Sequence, residues 1–452
     1  MKPNGARPPV EVPCRQSTQP RAAGSGLPRA LRACGEGSNP GSPRTDTHTS
    51  TGTGTGTHTR TALVIGGGIG GPVAAMALRR AGIEATVYEA YRSTADGVGA
   101  GLSIAPNGLN ALDLIGAREA VMGIGTPMTA IAMQSWKGKL LGEFGTPAGL
   151  PPAQFVWRAD LYRVLYEEAA GRGIEIVHGK RLVSAQDTGD GVTARFADGT
   201  EARADILIGA DGIRSTVRSI IDPAAPPPRY CGLLGFGGEL RACGLPSTRD
   251  KMIMSFGKRA FFGYQVADDG SGGWFANLPR PEPMTLAEAR AVSSEEWLTV
   301  LRRAFTDDRT PALDLLRRTD PAELMVTGPF EDIPSVPHWS RGRLVLLGDA
   351  AHPTSPSSGQ GASLAIESAV QLACCLRDLP HDQAFARYQQ LRRGRVERII
   401  GNAARTNSDK AAGPVGRVLR DAVMSVAMRF VKPEKLAWQF AHRIDWDTPV
   451  TA

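Results

Sequence analysis

At 452 residues, 42% of them hydrophobic, the chain is long enough for two joined domains or one large one with a sizeable core. No run of about eighteen apolar residues occurs, so no transmembrane helix is expected. The net charge of +7 comes mostly from the first sixty residues. Beyond them 44 Lys and Arg face 42 Asp and Glu, which removes the case for nucleic-acid binding.

Residues 1–60 are rich in Pro, Gly, Ser, Thr and Arg and end in a Thr-Gly repeat. They lack apolar periodicity and are expected to be a disordered tail. Their proline and glycine content argues against an amphipathic targeting helix, and no apolar segment of a secretory signal is present. The fold is expected to begin near Thr61.

Thr61–Ile65 is a short apolar, partly β-branched run and reads as a buried parallel strand. The turn Gly66-Gly67-Gly68-Ile69-Gly70-Gly71 follows, then an apolar helix over Val73–Arg80 and a second strand over Glu84–Glu89. This strand, GxGxxG turn, helix, strand and acid order is a dinucleotide fingerprint. Gly66 permits the tight turn, Gly68 admits a pyrophosphate, and Gly71 allows helix and strand to pack closely. The helix N-terminus supplies amide donors. Glu89 suits an adenosine ribose and would repel a 2′-phosphate, which favours FAD or NAD at this site. Arg92 is a candidate for the phosphates, or a solvated loop arginine.

Further strands are expected at Met128–Gln134 and Lys139–Phe144, and a helix from Arg158 through Ala170. Ala204–Ala210 is another buried strand and runs into Asp211-Gly212, where Asp211 is either a cleft residue or a local helix cap. Short strands with glycine turns follow at Tyr230–Leu240, Lys251–Phe256, Ala260–Val266 and Gly273–Leu278. Helices are expected at Glu296–Phe305 and Ala312–Arg317. Alternation sends Phe262 and Tyr264 to one face of their strand and Phe261 and Gln265 to the other. Phe236, Phe262, Tyr264 and Trp274 are candidate pocket residues, with ordinary core as the alternative. Arg343–Leu347 is the next buried strand, leading into Gly348-Asp349-Ala350-Ala351-His352-Pro353 and a loop through Gly359 and Gly361. A helix begins after that loop, and Val415–Val431 reads as an amphipathic helix. Six cysteines lack metal-ligand spacing. Cys374-Cys375 reads as buried packing, which fits a reducing cytoplasm, and no metal site is expected.

Three motifs in this order, the glycine turn, Ala210-Asp211-Gly212 and Gly348-Asp349, resemble those of the class A FAD-dependent aromatic monooxygenases. The resemblance covers nearly all of residues 61–452. It implies an α/β fold: an FAD-binding Rossmann-like domain of the glutathione-reductase type, with an inserted antiparallel β-sheet substrate domain and a C-terminal helix. The FAD-binding part is expected at 61–125, 151–228 and 326–400, the substrate-binding part at 126–150 and 229–325, and a helical segment at 401–452. By resemblance Arg158 reaches the cofactor, Asp211 faces the flavin cleft, and Asp349 bonds the ribityl chain. Pro353, Gly359 and Gly361 belong to the loop against the flavin ring. The cofactor-binding set is therefore Gly66, Gly68, Ile69, Gly70, Gly71, Glu89, Arg92, Arg158, Asp211, Asp349, Pro353, Gly359 and Gly361.

The implied reaction passes hydride from NAD(P)H, bound transiently, to FAD. O₂ then gives a C4a-hydroperoxide that hydroxylates or epoxidises an aromatic or polycyclic hydrophobic small molecule. His352 is expected to be structural, and the sequence assigns no catalytic acid or base. A monomer or dimer is expected, without stable membrane insertion. A flavin reductase or dehydrogenase of the same fold, and a non-catalytic carrier on the same scaffold, are the alternatives.

Overall fold

The computed structural model describes residues 59–93, 100–241, 243–410 and 434–452. The expected tail over 1–60 lies almost wholly outside the described residues, as does the helix expected at Val415–Val431.

A six-stranded sheet organises the molecule. Its order is Ser340–Arg341, Leu344–Leu346, Ile206–Gly209, Thr61–Ile65, Glu84–Tyr88 and Ile176–Val177. All neighbours run parallel except the two-residue edge strand Ser340–Arg341. The apolar runs make it so: Ala62–Ile65, Ile206–Ile208 and Leu344–Leu346 are all buried, as strands covered on both faces must be. The register aligns Ile65 with both Gly209 and Tyr88, and Gly209 with Leu346. Parallel pairing in this register brings the three motifs, remote in sequence, out at one sheet edge. Such an edge is where doubly wound folds hold ligands.

Helix Gly70–Arg80 packs on this sheet with eight consecutive residues, Gly71 to Leu78, buried. The turn before it is tight. Gly66 has φ +107°, and a Cβ on Gly71 would lie 1.9 Å from the Gly66 carbonyl oxygen. We predict that Gly71→Ala, which forces backbone apart, lowers the melting temperature and the flavin content together. Retention of both would mean that the turn relaxes freely.

A seven-stranded sheet lies beyond the sheet edge. Its order is Met325–Asp332, Arg229–Leu240, Gly272–Pro279, Phe261–Val266, Lys251–Phe256, Ala130–Ser135 and Leu140–Gly145. It is antiparallel apart from the parallel pair Lys251–Phe256 and Ala130–Ser135. The two stretches expected as insertions thus share one sheet. Helices Ser294–Phe305 and Ala312–Arg318 cover one face and close a core with Phe262, Trp274, Trp297 and Phe305. Ser293 and Glu296 form a reciprocal cap on the first of these helices.

Helix Gly361–Asp378 runs almost wholly buried against Gly70–Arg80. Cys374 and Cys375 are buried in it, and burial pushes their thiols up to about 12 and about 11. They are packing residues with little thiolate character. The long helix His381–Lys410 follows, and Glu434–Phe440 packs back through Arg395, which donates to the Trp438 and Gln439 carbonyls at 2.7 and 2.8 Å. Among the described residues no helix is long and apolar enough to cross a membrane, and no cluster of His, Cys, Asp and Glu could hold a metal.

Candidate active site

A cavity of about 1080 Å³ opens between the sheet edge and the seven-stranded roof. Gly66, Gly68, Ile69, Gly70, Glu89, Arg158, Asp211, Asp349, Gly359 and Gly361 all line it. Two helices present their N-termini there, Gly70–Arg80 and Gly361–Asp378. Neither has a side-chain cap or an acidic residue in its first turn. Their free amide groups and dipole ends make this part of the cavity favourable for negative charge.

Each motif residue has a defined environment. Glu89 accepts from the Gly67 amide at 2.6 Å and from Tyr91 N at 2.9 Å, so its carboxylate is held beside the glycine turn. Asp211 accepts from Ser215 Oγ at 2.5 Å and from Val217 N at 3.1 Å. It therefore anchors helix Thr216–Ile221 as well as bordering the cavity, and burial raises its carboxyl above the ordinary range against those bonds. Asp349 is exposed and lines the cavity. No hydrogen bond ends on its carboxylate among the described residues. Enclosure raises its pKa, and the Arg158 and Arg218 guanidinium groups oppose that. Arg158 donates to Tyr162 Oη at 2.9 Å, which holds it along the cavity wall.

Arg218 stands in the short helix Thr216–Ile221 that follows the Asp211 turn. It is buried, donating to the carbonyls of Ala350 at 3.0 Å and of Ile213. It ties the Asp211 turn to the Asp349 turn. No local pattern betrays this role, because Ala350 is 132 residues away. His352 is buried and bonds Ser368 Oγ at 2.9 Å. Burial and Arg392 drive its pKa down to about 3, which favours the neutral ring, and His352 does not line the cavity.

Several expected positions do not reach the cavity. Arg92 is exposed on the loop beyond Glu89 and is not in the wall. Pro353 is buried, and its carbonyl accepts from Ile333 N at 3.2 Å. Gly71 packs against the turn behind the wall. The expected aromatic pocket is inverted. Phe262, Tyr264 and Trp274 point into the helix-covered core, where Phe262 stacks on Trp274 with centroids 5.5 Å apart and meets Phe305 edge-on at 5.3 Å. Phe236 borders the cavity, but its ring lies 4.9 Å from Trp297 in that same core. The opposite face supplies the aromatic wall: Phe256, Phe261 and Phe275, with Met252 and Met254. Alternation separates the faces, but both are aromatic, and sequence gives no sign of which one helices cover.

That inversion has a measurable consequence. Phe262→Ala is expected to lower stability by about 3–5 kcal/mol, the usual cost of emptying a buried aromatic site, with little change in KM. Phe275→Ala, on the cavity face, is expected to raise KM with a smaller loss of stability. Denaturant titration with steady-state kinetics checks both, and exchanged effects would mean that the faces are assigned wrongly.

A parallel sheet edge with a glycine turn, two open helix N-termini and a separate aromatic roof defines a flavin-type dinucleotide site joined to an apolar chamber. The family model described as "FAD binding domain" matches residues 59–228 and 334–403, and the chain belongs to that family. It is 34% identical to 3-amino-4-hydroxybenzoate 2-monooxygenase PtmB3 of Streptomyces platensis over 393 residues, 83% of this chain and 94% of that protein. It is 33% identical to aurachin C monooxygenase/isomerase of Stigmatella aurantiaca over 353 residues, 76% of this chain and 88% of that protein. Among solved structures, Klebsiella pneumoniae HpxO complexed with FAD and uric acid superposes with a TM-score of 0.73 at 27% identity, covering 83% of this chain and 94% of that one. The chain is an FAD-dependent monooxygenase, and its relatives include enzymes that act on aromatic substrates.

The residues present fit FAD. Gly68 is open toward the cavity, where an added Cβ would meet only Tyr162 Oη, at 4.0 Å, among the described residues. The two helix N-termini are uncapped, and the Asp349 carboxylate has acceptor capacity to spare for hydroxyl donors.

Proposed function

We propose that this chain uses NAD(P)H and O₂ to place one oxygen atom on an aromatic or polycyclic hydrophobic small molecule, by hydroxylation or epoxidation. The observation that carries this reading is a single cavity that is polar and helix-dipole-rich at one end and aromatic at the other. Bound FAD would supply hydride acceptance from the nicotinamide and the activation of O₂.

The chain's own residues would do the rest. The turn Gly66–Gly70 and the N-terminus of Gly70–Arg80 hold the pyrophosphate. Glu89 accepts from the ribose hydroxyls, and Asp349 from the ribityl hydroxyls. Arg158 adds positive charge along the wall, and Asp211 shapes the floor. The loop through Gly359 and Gly361 lets backbone approach the ring. The amide groups at Gly361–Ser363 are placed to stabilise negative charge there. Phe256, Phe261, Phe275 and the methionines exclude water and hold a flat ligand. Binding of FAD is assigned to 61–125, 151–228 and 326–400, and binding of substrate to 126–150 and 229–325, with strand Met325–Asp332, at the start of the last FAD-binding stretch, built into the roof sheet.

A panel of phenols and fused aromatic compounds tests this. The expected outcome is that some members accelerate NAD(P)H oxidation and yield an oxygenated product in proportion to nicotinamide consumed. Nicotinamide oxidation that no aromatic compound alters, with peroxide as the sole product, would instead place the chain among flavin reductases.

A further inference from the structure

Lys410 closes the long helix His381–Lys410 and reaches the aromatic end of the cavity. Its Nζ donates to Asn277 Oδ1 at 2.8 Å and to Ser357 Oγ at 2.9 Å, and stands 4.3 Å from the Phe261 ring centroid. Both acceptors are neutral. Among the described residues it has no carboxylate partner, in contrast with Glu367, Arg392 and Arg395 on the same helix pair. An ammonium has three donors, so one remains for a ligand. The strands and loop packed against it present Phe261, Asn277 and Ser357, none of which titrates.

An unpaired cation in an apolar wall is costly unless something negative joins it. The cost shows in its acidity, since burial brings the Lys410 pKa from 10.5 down to about 7. It is kept in a wall otherwise built to hold a flat, greasy ring. Asn277 sits in strand Gly272–Pro279 and Ser357 in the loop before helix Gly361–Asp378. The three residues therefore form a polar corner where the roof meets the cofactor loop.

We propose that Lys410, held by Asn277 and Ser357, is the positioning residue of an oxyanion subsite, binding a phenolate or carboxylate oxygen on the aromatic substrate. This deepens the aromatic-monooxygenase reading and rests on it. Such an anchor fixes which ring carbon faces the reacting centre. With a phenol, it also favours the ionised, more electron-rich ring, the released proton passing to solvent.

The flavin-loaded enzyme is titrated at pH 7 with two matched pairs, 4-nitrophenol against 4-nitroanisole and 4-nitrobenzoate against 4-nitrobenzamide. Flavin absorbance reports binding, and nitrophenolate absorbance reports ionisation. A charge-assisted hydrogen bond predicts that the anionic member of one pair binds about 10–100-fold tighter than its neutral mate. If that pair is the phenol, bound 4-nitrophenol ionises at lower pH than free. In Lys410→Met the preference and any ionisation shift vanish, while Lys410→Arg keeps part of the preference. The pair that shows the effect identifies the group. Lys410→Met removes a part-buried cation that has no carboxylate partner among the described residues, so it is expected to fold and to hold flavin as the unaltered chain does. Equal discrimination by the unaltered enzyme and Lys410→Met, or none in either with all four compounds bound, would overturn the subsite but leave the aromatic reading intact. Failure of all four to perturb the flavin would overturn the aromatic reading itself.

Discussion

Asp349→Ala is expected to purify with little flavin and to bind added FAD about 10–100-fold more weakly than the unaltered enzyme. Asp349 stands at the end of a buried strand, with its carboxylate turned into the cavity. The protein gives it no hydrogen-bond donor among the described residues, although Arg158 and Arg218 lie close enough to favour its ionised form. An ionised acceptor in an enclosed site contributes about 1.5–3 kcal/mol through each bond to a ligand hydroxyl, which corresponds to that loss of affinity. Asp349→Asn tests the cause, because it preserves shape and removes charge. It should fall between the two, and the ratio of visible to protein absorbance after desalting reads all three. Unchanged occupancy in Asp349→Ala would remove this residue from the cofactor site.

Glu367→Gln is expected to be the most destabilising single change of charge, by about 3–5 kcal/mol. Glu367 is fully buried in helix Gly361–Asp378. Arg392 bonds it at 2.5 Å and Arg395 at 2.8 and 3.0 Å, and Asn107 Nδ2 donates to it at 2.6 Å. Removing the negative partner leaves buried guanidinium charge uncompensated, the case in which ion-pair loss costs most. Asn107 also donates to Gln360 in the cofactor loop at 3.0 Å, so loop order and flavin retention should fall as well.

The pH dependence has a definite sign. Although burial alone would raise the Glu367 pKa, the arginines win and hold it at about 2, against an ordinary 4.5. A depressed carboxyl stabilises the fold fully above the unfolded value and loses that contribution as pH falls through the folded one. Acid denaturation of the unaltered protein should therefore steepen between about pH 4.5 and 2. Glu367→Gln should lack that component. Identical acid profiles would mean that the ion cluster contributes no net stability.

The parts of this protein that are legible in sequence are those governed by local rules. Thr61–Ile65 and Ile206–Gly209 announce themselves by apolar runs, and the glycine turn by steric need at Gly66 and Gly71. Strands Lys251–Phe256 and Phe261–Val266 fall within one residue of the short runs between turns, Lys251–Phe256 and Ala260–Val266, where they are expected. What sequence does not carry is which face an element turns to its neighbours. Phe261 and Phe262 are adjacent, equally apolar and nearly equally buried, yet one lines the cavity and the other the helix-side core. Arg218 and Lys410 carry no local sign of their roles, because the groups they meet, Ala350, Asn277 and Ser357, are brought to them only by the tertiary fold. Pro353 and Arg92 differ in another way. Motif membership suggests Pro353 and nearness to Glu89 suggests Arg92, while the packing of the one and the exposure of the other keep both out of the cavity wall.

The origin of the inserted oxygen atom decides whether the chain is a monooxygenase in action. The flavin-loaded enzyme is supplied with NAD(P)H, an aromatic compound that accelerates nicotinamide oxidation, and ¹⁸O₂, and the product is weighed by mass spectrometry. One ¹⁸O atom per product molecule is expected, and none when the label is carried by water instead. A product that takes its oxygen from water, or turnover that yields labelled peroxide and no oxygenated compound, would contradict it.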